Sequence, residues 1–189
     1  GTDTMGSVRI PASYCGIIGY KPSSLICSNK DLILLSHTYD SIGLMSNKVS
    51  NINNIFNIIN SFNYKNKKSM KRIEKIKCLI PTQALEGDIS PDVLQDFQLI
   101  ISKLKKNNID FEIKSLDCWS PNYHRKSLLK IIENEGAQNL SLLINNNKSK
   151  ITNNLRNNLL FGKKITNETI KTLKHDLKDL KKRIISTFE

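Results

Sequence analysis

Apolar residues fall in short clusters over the first quarter of the chain and in longer periodic arrays after it. "GIIGYKP" (Gly16–Pro22) and "DLILL" (Asp31–Leu35) are too short for helices and are bracketed by Pro22, Ser23, Ser24 and Asn29. Each predicts a buried strand or extended segment. "SNKVSNINNIFNIINSF" then places Val49, Ile52, Ile55, Ile59 and Phe62 at helical spacing with asparagine between them, which predicts a surface helix packed along one stripe. "IKCLIP" predicts a strand stopped at Pro81.

Ser90, Pro91 and Asp92 mark a helix start: a hydroxyl at the cap, proline in the first turn, and an acid near the positive end of the helix. Val93, Phe97, Ile100, Ile101 and Leu104 line one face of that helix before "KKNN" ends it. "IDFEIKSL" alternates as a half-buried strand does. Strand, helix and strand in this order predict a βαβ-like unit, hence an α/β fold. From Ser120 onward the periodicity is helical: about 122–144, a shorter segment around 155–161, and about 166–188 with Ile170, Leu173, Leu177, Leu180, Ile184 and Phe188 in a stripe. That stripe covers too few heptads for a coiled coil and predicts packing on a parent domain. No internal repeat is found, and "NNNKSKITNN" reads as a low-complexity loop.

Charge changes this picture little. The formal net charge of +12 over 189 residues comes from 24 lysines and 5 arginines spread along the chain, beside 22 asparagines and abundant isoleucine. That composition matches an A/T-rich coding sequence better than an Arg-and-aromatic face for nucleic acid, so no specific nucleic-acid partner is expected. The densest basic run, "YKNKKSMKRIEKIK", has no aromatic residue after Tyr64, and residues 64–75 read as a lysine-rich linker. Cys15, Cys27, Cys78 and Cys118 lack C-x-x-C spacing and a nearby histidine pair, so neither a metal nor another cofactor is expected. Without a signal peptide or a run long enough to span a bilayer, the chain is expected to be cytoplasmic, with no membrane contact and with reduced thiols.

Chemistry concentrates in "GTDTMGSVRIPASYCGIIGYKPS" (residues 1–23). Gly1 and Gly6 have the separation of a phosphate-binding loop, but Ser7 and Val8 stand where that loop requires lysine and a hydroxyl. The G-x-S-x-G elbow fails because Met5 and Arg9 replace its glycines. A lone Gly-Ser pair would read simply as a structural turn.

The whole stretch, however, closely resembles the signature of the amidase signature family, GSDTGGSxRxPAxxCGxxGxKPT. The matching positions are Gly1, Asp3, Thr4, Gly6, Ser7, Arg9, Pro11, Ala12, Cys15, Gly16, Gly19, Lys21 and Pro22. "TYDSIGLM" is similar, more faintly, to a second family segment, S-x-D-x-x-G-P-M, with Leu44 where proline is common. The resemblance implies part of the amidase signature fold, a mixed central sheet covered by helices, with a helix-rich C-terminal portion. On this reading residues 1–189 are a partial amidase domain: the signature segment and following helix (1–63), the linker (64–75), and the βαβ-like segment with its helices (76–189).

The implied chemistry is hydrolysis of a small carboxylic amide through a serine acyl-enzyme, using a Ser–cis-Ser–Lys triad. Ser7 matches the nucleophile, and a serine hydroxyl needs a base to take its proton. The oxyanion donors implied are the backbone N–H groups of Thr4, Met5, Gly6 and Ser7. Gly6 suits a sharp turn there, while Asp3 and Arg9 are read as loop support through charge-assisted hydrogen bonds. Cys15 is read as a small buried packing residue. Met5 departs from the small residue usual in the family and is expected to narrow the pocket or perturb the oxyanion loop.

Both the catalytic lysine and the bridging serine precede this loop in the family, and Lys21 matches instead its structural "KP" lysine. Residues 1–189 alone are therefore expected to be inactive and to need the remainder of the amidase chain. An alternative is the glutaminase (A) subunit of a glutamyl-tRNA(Gln)/aspartyl-tRNA(Asn) amidotransferase, which works with another protein chain. The other assembly considered is a homodimer. Where that glutaminase carries a basic pair, this chain has "LRNNLLFG", with only Arg156 beside Asn157 and Asn158, which favours the general amidase. A non-catalytic interaction module with the same fold is the third reading.

Overall fold

The computed structural model describes residues 1–23, 32–63, 76–146 and 151–188. Cys27 and the linker at 64–75 lie outside them, as do Asp31 of "DLILL" and residues 147–150 of the low-complexity stretch. The chain divides into two compact units, Gly1–Lys68 with Leu129–Ile170, and Ser69–Leu128 with Lys171–Glu189.

In the first unit, β1 (Thr2–Asp3) pairs antiparallel with β3 (Ser41–Ile42), placing Asp3 opposite Ser41. β2 (Ile18–Tyr20) pairs antiparallel with β4 (Leu44–Ser46). Helix α1 (Arg9–Tyr14) joins the first ladder to the second, and fully buried Val8 and Ala12 anchor it. "DLILL" does not form a strand: Leu32–Leu35 are irregular, and Ile33 is exposed. The backbone there turns to bond a side chain, as described below, rather than a neighbouring strand.

α2 (Val49–Asn63) has the predicted extent, but its buried stripe differs. Ile52 is buried and Phe56 meets the Tyr20 ring edge-on at 5.4 Å, while Val49 and Ile55 are exposed. The one-turn spacing from Ile52 to Phe56 puts both on one side of the helix, with Phe56 against Tyr20 of β2.

The rest of this unit is mostly helical. α4 (Pro121–Asn139), which belongs to it only from Leu129 onward, ends at Leu140, and α5 (Ser141–Asn146) follows, so the helix expected over about 122–144 is two helices. α6 (Asn153–Lys164) starts at Thr152, whose hydroxyl accepts from the Leu155 N–H. Ala137, Ile144 and fully buried Leu159 form a core cluster with half-buried Leu35, Leu140, Ile151 and Leu155 around it. Truncating Leu159 to alanine there removes about 2–5 kcal/mol. α6 crosses α4 at Gly162, where a Cβ would collide with the Glu133 backbone carbonyl, and Asn134 Nδ2 donates to the Gly162 carbonyl at 3.0 Å.

The second unit contains the predicted βαβ arrangement. β5 (Ile76–Pro81) and β6 (Ile109–Lys114) pair in parallel, with Cys78 beside Phe111, and α3 (Pro91–Lys105) connects them. Asn108 adopts φ 61° as the chain leaves α3, which asparagine tolerates better than most residues. The expected buried face of α3 is more open than its pattern suggests. Val93, Leu94 and Phe97 remain at least a third exposed and border an apolar groove of about 440 Å³ with Leu79, Ile80 and Phe111. α7 (Asn167–Ser186) starts in the first unit, where Ile170 is buried, and continues in the second, where Leu173 is buried.

Parallel and antiparallel pairing thus both occur, in three two-stranded ladders among the described residues, with helices making up most of the rest. No helix among those residues is long and apolar enough to cross a membrane, and none of their His, Cys, Asp and Glu side chains form a group of three that could hold a metal.

Candidate active site

β1 ends at Asp3, and the backbone curls around that carboxylate before α1 begins. Asp3 is fully buried. Its Oδ1 accepts from the Gly6 N–H at 2.7 Å and from Arg9 Nη2 at 3.1 Å. Its Oδ2 accepts from the N–H groups of Val8 (3.2 Å) and Arg9 (3.3 Å) and from Arg9 Nε (3.0 Å). Burial opposes ionisation, but these donors outweigh it and hold the Asp3 carboxyl well below the usual carboxylate range. The same pairing raises the Arg9 guanidinium above its ordinary value, against its own desolvation.

Gly6 makes the curl possible. Its φ of +132° belongs to glycine, and a Cβ there would lie 2.7–2.9 Å from the Ile10 side chain. Met5, by contrast, is half-buried and has no positive φ, so its long side chain brings no backbone strain. Cys15 is exposed rather than buried, because it lies at the C-terminal end of the short α1, where Gly16 turns the chain away with φ +63°.

Thr4 is tied down twice. Its hydroxyl donates to Asp40 Oδ1 at 2.7 Å, and its carbonyl accepts from Lys21 Nζ at 2.7 Å. Lys21 Nζ also donates to the Tyr39 carbonyl at 2.9 Å and lies 3.7 Å from Asp3 Oδ1. Desolvation lowers the Lys21 ammonium from its ordinary value, with Asp3 pulling the other way. Asp40 Oδ2 accepts from the N–H groups of Leu35 (2.7 Å) and Ser36 (3.1 Å), which accounts for the irregular backbone of Leu32–Leu35.

Ser7 stands at the crest of this loop, exposed, directly before Val8 and α1. The residues read as a site in the sequence are therefore contiguous, but their N–H groups are not equivalent. The Gly6 N–H is already given to Asp3, whereas the N–H groups of Thr4, Met5 and Ser7 and the Ser7 hydroxyl make no hydrogen bond among the described residues.

Several partners of the loop were not assigned a role from the sequence. Asp40 falls in the "TYDSIGLM" segment, where an acid matching the D of S-x-D-x-x-G-P-M was the readable signal, and the structure buries it. Glu135, on α4, accepts from Ser36 Oγ at 2.6 Å, Thr38 Oγ1 at 2.7 Å and the Thr38 N–H at 3.2 Å. Nothing local in "IIENEGAQN" announces that pairing, which spans almost a hundred residues. Arg156 Nη1 donates to the Ile144 carbonyl at 2.7 Å.

A family model described as Amidase matches residues 1–186. Over short segments the chain is similar to Amidase 1 of Oryza sativa subsp. japonica (44% identical over 52 residues, 28% of this chain and 12% of that one). It is also similar to an indoleacetamide hydrolase of Pseudomonas syringae pv. syringae (50% over 46 residues, 24% and 10%). A third relative is the (A) subunit of the glutamyl-tRNA(Gln) amidotransferase of Methanobrevibacter smithii (48% over 52 residues, 28% and 11%). A crystal structure of an amidase superposes with a TM-score of 0.85 at 20% identity, covering 98% of this chain and 41% of that one. The chain thus spans less than half of the structure it matches, and its aligned segments about a tenth of each curated relative.

Proposed function

The chain belongs to the amidase family, and from that premise we propose that it carries the nucleophile and oxyanion loop of an enzyme that hydrolyses a small carboxylic amide. The observation that supports this most is the selective bonding of the loop. Asp3 and Lys21 hold its backbone and Asp40 holds the Thr4 hydroxyl, while the Ser7 hydroxyl and the N–H groups of Thr4, Met5 and Ser7 make no hydrogen bond among the described residues. A preorganised loop with unspent donors beside an exposed hydroxyl suits acyl transfer.

Ser7 Oγ attacks the amide carbon as its proton passes to a base, and the carbonyl π electrons move onto oxygen. The Thr4, Met5 and Ser7 N–H groups stabilise that oxyanion; Gly6 contributes the turn rather than its own N–H. Collapse expels the amine with a proton and leaves an acyl-serine ester, which water hydrolyses to the carboxylic acid. In the amidase signature pattern the proton passes through a bridging serine to a lysine, both of which precede the nucleophile loop, and no residue of 1–189 is assigned to that step. Lys21 is a poor candidate for the base, since its ammonium donates to two carbonyls and faces Asp3. Asn157 and Asn158, standing beside Arg156 where the glutaminase subunit carries a basic pair, support a general amidase over a site that grips an amino-acid carboxylate.

A fluorophosphonate probe on the full-length protein tests this reading. Wild type is labelled at Ser7 and releases ammonia from simple aliphatic or aryl amides. Ser7→Ala is not labelled and loses at least about 10³-fold in turnover while folding normally. A folded wild type without labelling would favour a non-catalytic module. Ammonia release from glutamine that depends on a second protein chain would favour the amidotransferase.

A further inference from the structure

The turn at Ser36–Asp40 is clamped between the loop bearing Ser7 and a helix distant in sequence. On its loop side it touches Thr4 by two routes, Asp40 Oδ1 on the Thr4 hydroxyl and the Tyr39 carbonyl through Lys21 Nζ on the Thr4 carbonyl. The turn is closed internally, since the Tyr39 N–H donates to Ser36 Oγ at 3.1 Å and the Asp40 N–H to the Ser36 carbonyl at 3.2 Å. On its other side it rests on Glu135, whose carboxylate accepts from both Ser36 and Thr38.

α4 also approaches the turn closely. A Cβ on Gly136 would lie 2.6 Å from Leu35 Cδ1, and Asn139 Nδ2 donates to the Leu35 carbonyl at 3.2 Å. Glu135, Ser36 and Asp40 are buried, so the Ser36–Glu135 bond at the centre of the clamp is shielded from water, while the bonds through Thr38, Tyr39 and Thr4 are partly so.

We propose that Glu135 is a positioning residue, which acts through Ser36, Thr38 and Asp40 to set the Thr4 and Met5 N–H groups at the candidate oxyanion site. This rests on the amidase reading. No bond in the route carries a proton to the substrate; its effect is geometric, and a displacement of about 1 Å at an oxyanion donor costs up to roughly 100-fold in rate. Such a loss falls on the transition state and spares substrate binding.

The test is amide turnover by the full-length protein, expressed as kcat per site titrated with the fluorophosphonate, so that unfolded molecules do not count. Glu135→Ala is expected to lower kcat about 10- to 100-fold with KM within about threefold of wild type. Glu135→Gln keeps an acceptor for Ser36 and Thr38 and restores kcat to within about threefold. Thr4→Val cuts the Asp40 arm of the route at its far end and leaves the Lys21 bridge, so it lowers kcat in the same direction and by no more than Glu135→Ala. The double variant is then hardly worse than Glu135→Ala alone, because the lost bond lies within the same chain of contacts.

Should Glu135→Ala fail to fold, Thr38→Val removes one donor to the carboxylate. It is expected to lower kcat at least about threefold, non-additively with Thr4→Val. An unchanged kcat per site in Glu135→Ala or, in its stead, Thr38→Val, or losses that multiply with Thr4→Val, would overturn the inference. A folded wild type that neither takes the label nor hydrolyses amides overturns the amidase reading, and this inference with it.

Discussion

Replacing Asp3 by asparagine preserves shape while removing charge. The Asn amide oxygen can serve the Gly6 N–H and Arg9 Nη2, or the Val8 and Arg9 N–H groups and Arg9 Nε, but not both sets. Its NH2 then faces donors, so at least two of the bonds become donor–donor contacts. A hydrogen bond to a charged acceptor contributes about 1.5–3 kcal/mol, and breaking a buried ion pair from one side costs about 3–5 kcal/mol.

The Arg9 side chain is 50% exposed and keeps much of its hydration, whereas Asp3 is wholly buried and the Lys21 side chain only 20% exposed. Screening at Arg9 takes the cost to the low end, about 3 kcal/mol. The loss is local, so hydrogen exchange at the Gly6 and Val8 amides is a better readout than a global melt. About 3 kcal/mol corresponds to exchange roughly 100-fold faster, with turnover falling alongside. If both amides in Asp3→Asn exchange within threefold of wild type, Asp3 does not hold the loop.

Gly6→Ala is expected to lose about 1–3 kcal/mol of local stability, read at the same amides, because φ +132° is strained for alanine and the new methyl meets Ile10. Gly162→Ala forces α6 away from the Glu133 carbonyl and is expected to cost about 2–3 kcal/mol, measured by denaturant unfolding, with no direct effect at Ser7. The depressed Asp3 carboxyl has a pH signature. Below about pH 4 the unfolded state takes up a proton that the native state refuses, so stability falls as pH falls through the Asp3 value, and Asp3→Asn flattens that limb.

Much of the candidate site was readable because its geometry is local. Asp3 bonds to residues three to six positions away, and Gly6 turns the chain within that span; such contacts leave a mark in residue type and spacing. The β5–α3–β6 order and the extents of α2, α3 and α7 were equally legible, since helical and strand periodicities are properties of neighbours in sequence. Periodicity says which side chains share a face and not whether that face is covered, which is why α3 carries exposed Val93 and Ile100 despite an apolar stripe.

The amino-acid sequence alone therefore determined the family, the alternation of elements and a loop that can present Ser7. Only the tertiary structure decided how that loop is held: that the Gly6 N–H belongs to Asp3, that Thr4 leans on Asp40 and Lys21, and that Glu135 supports the turn from almost a hundred residues away. A buried carboxylate finds its donors wherever packing brings them, and two acids far apart in the chain leave no period or spacing to read.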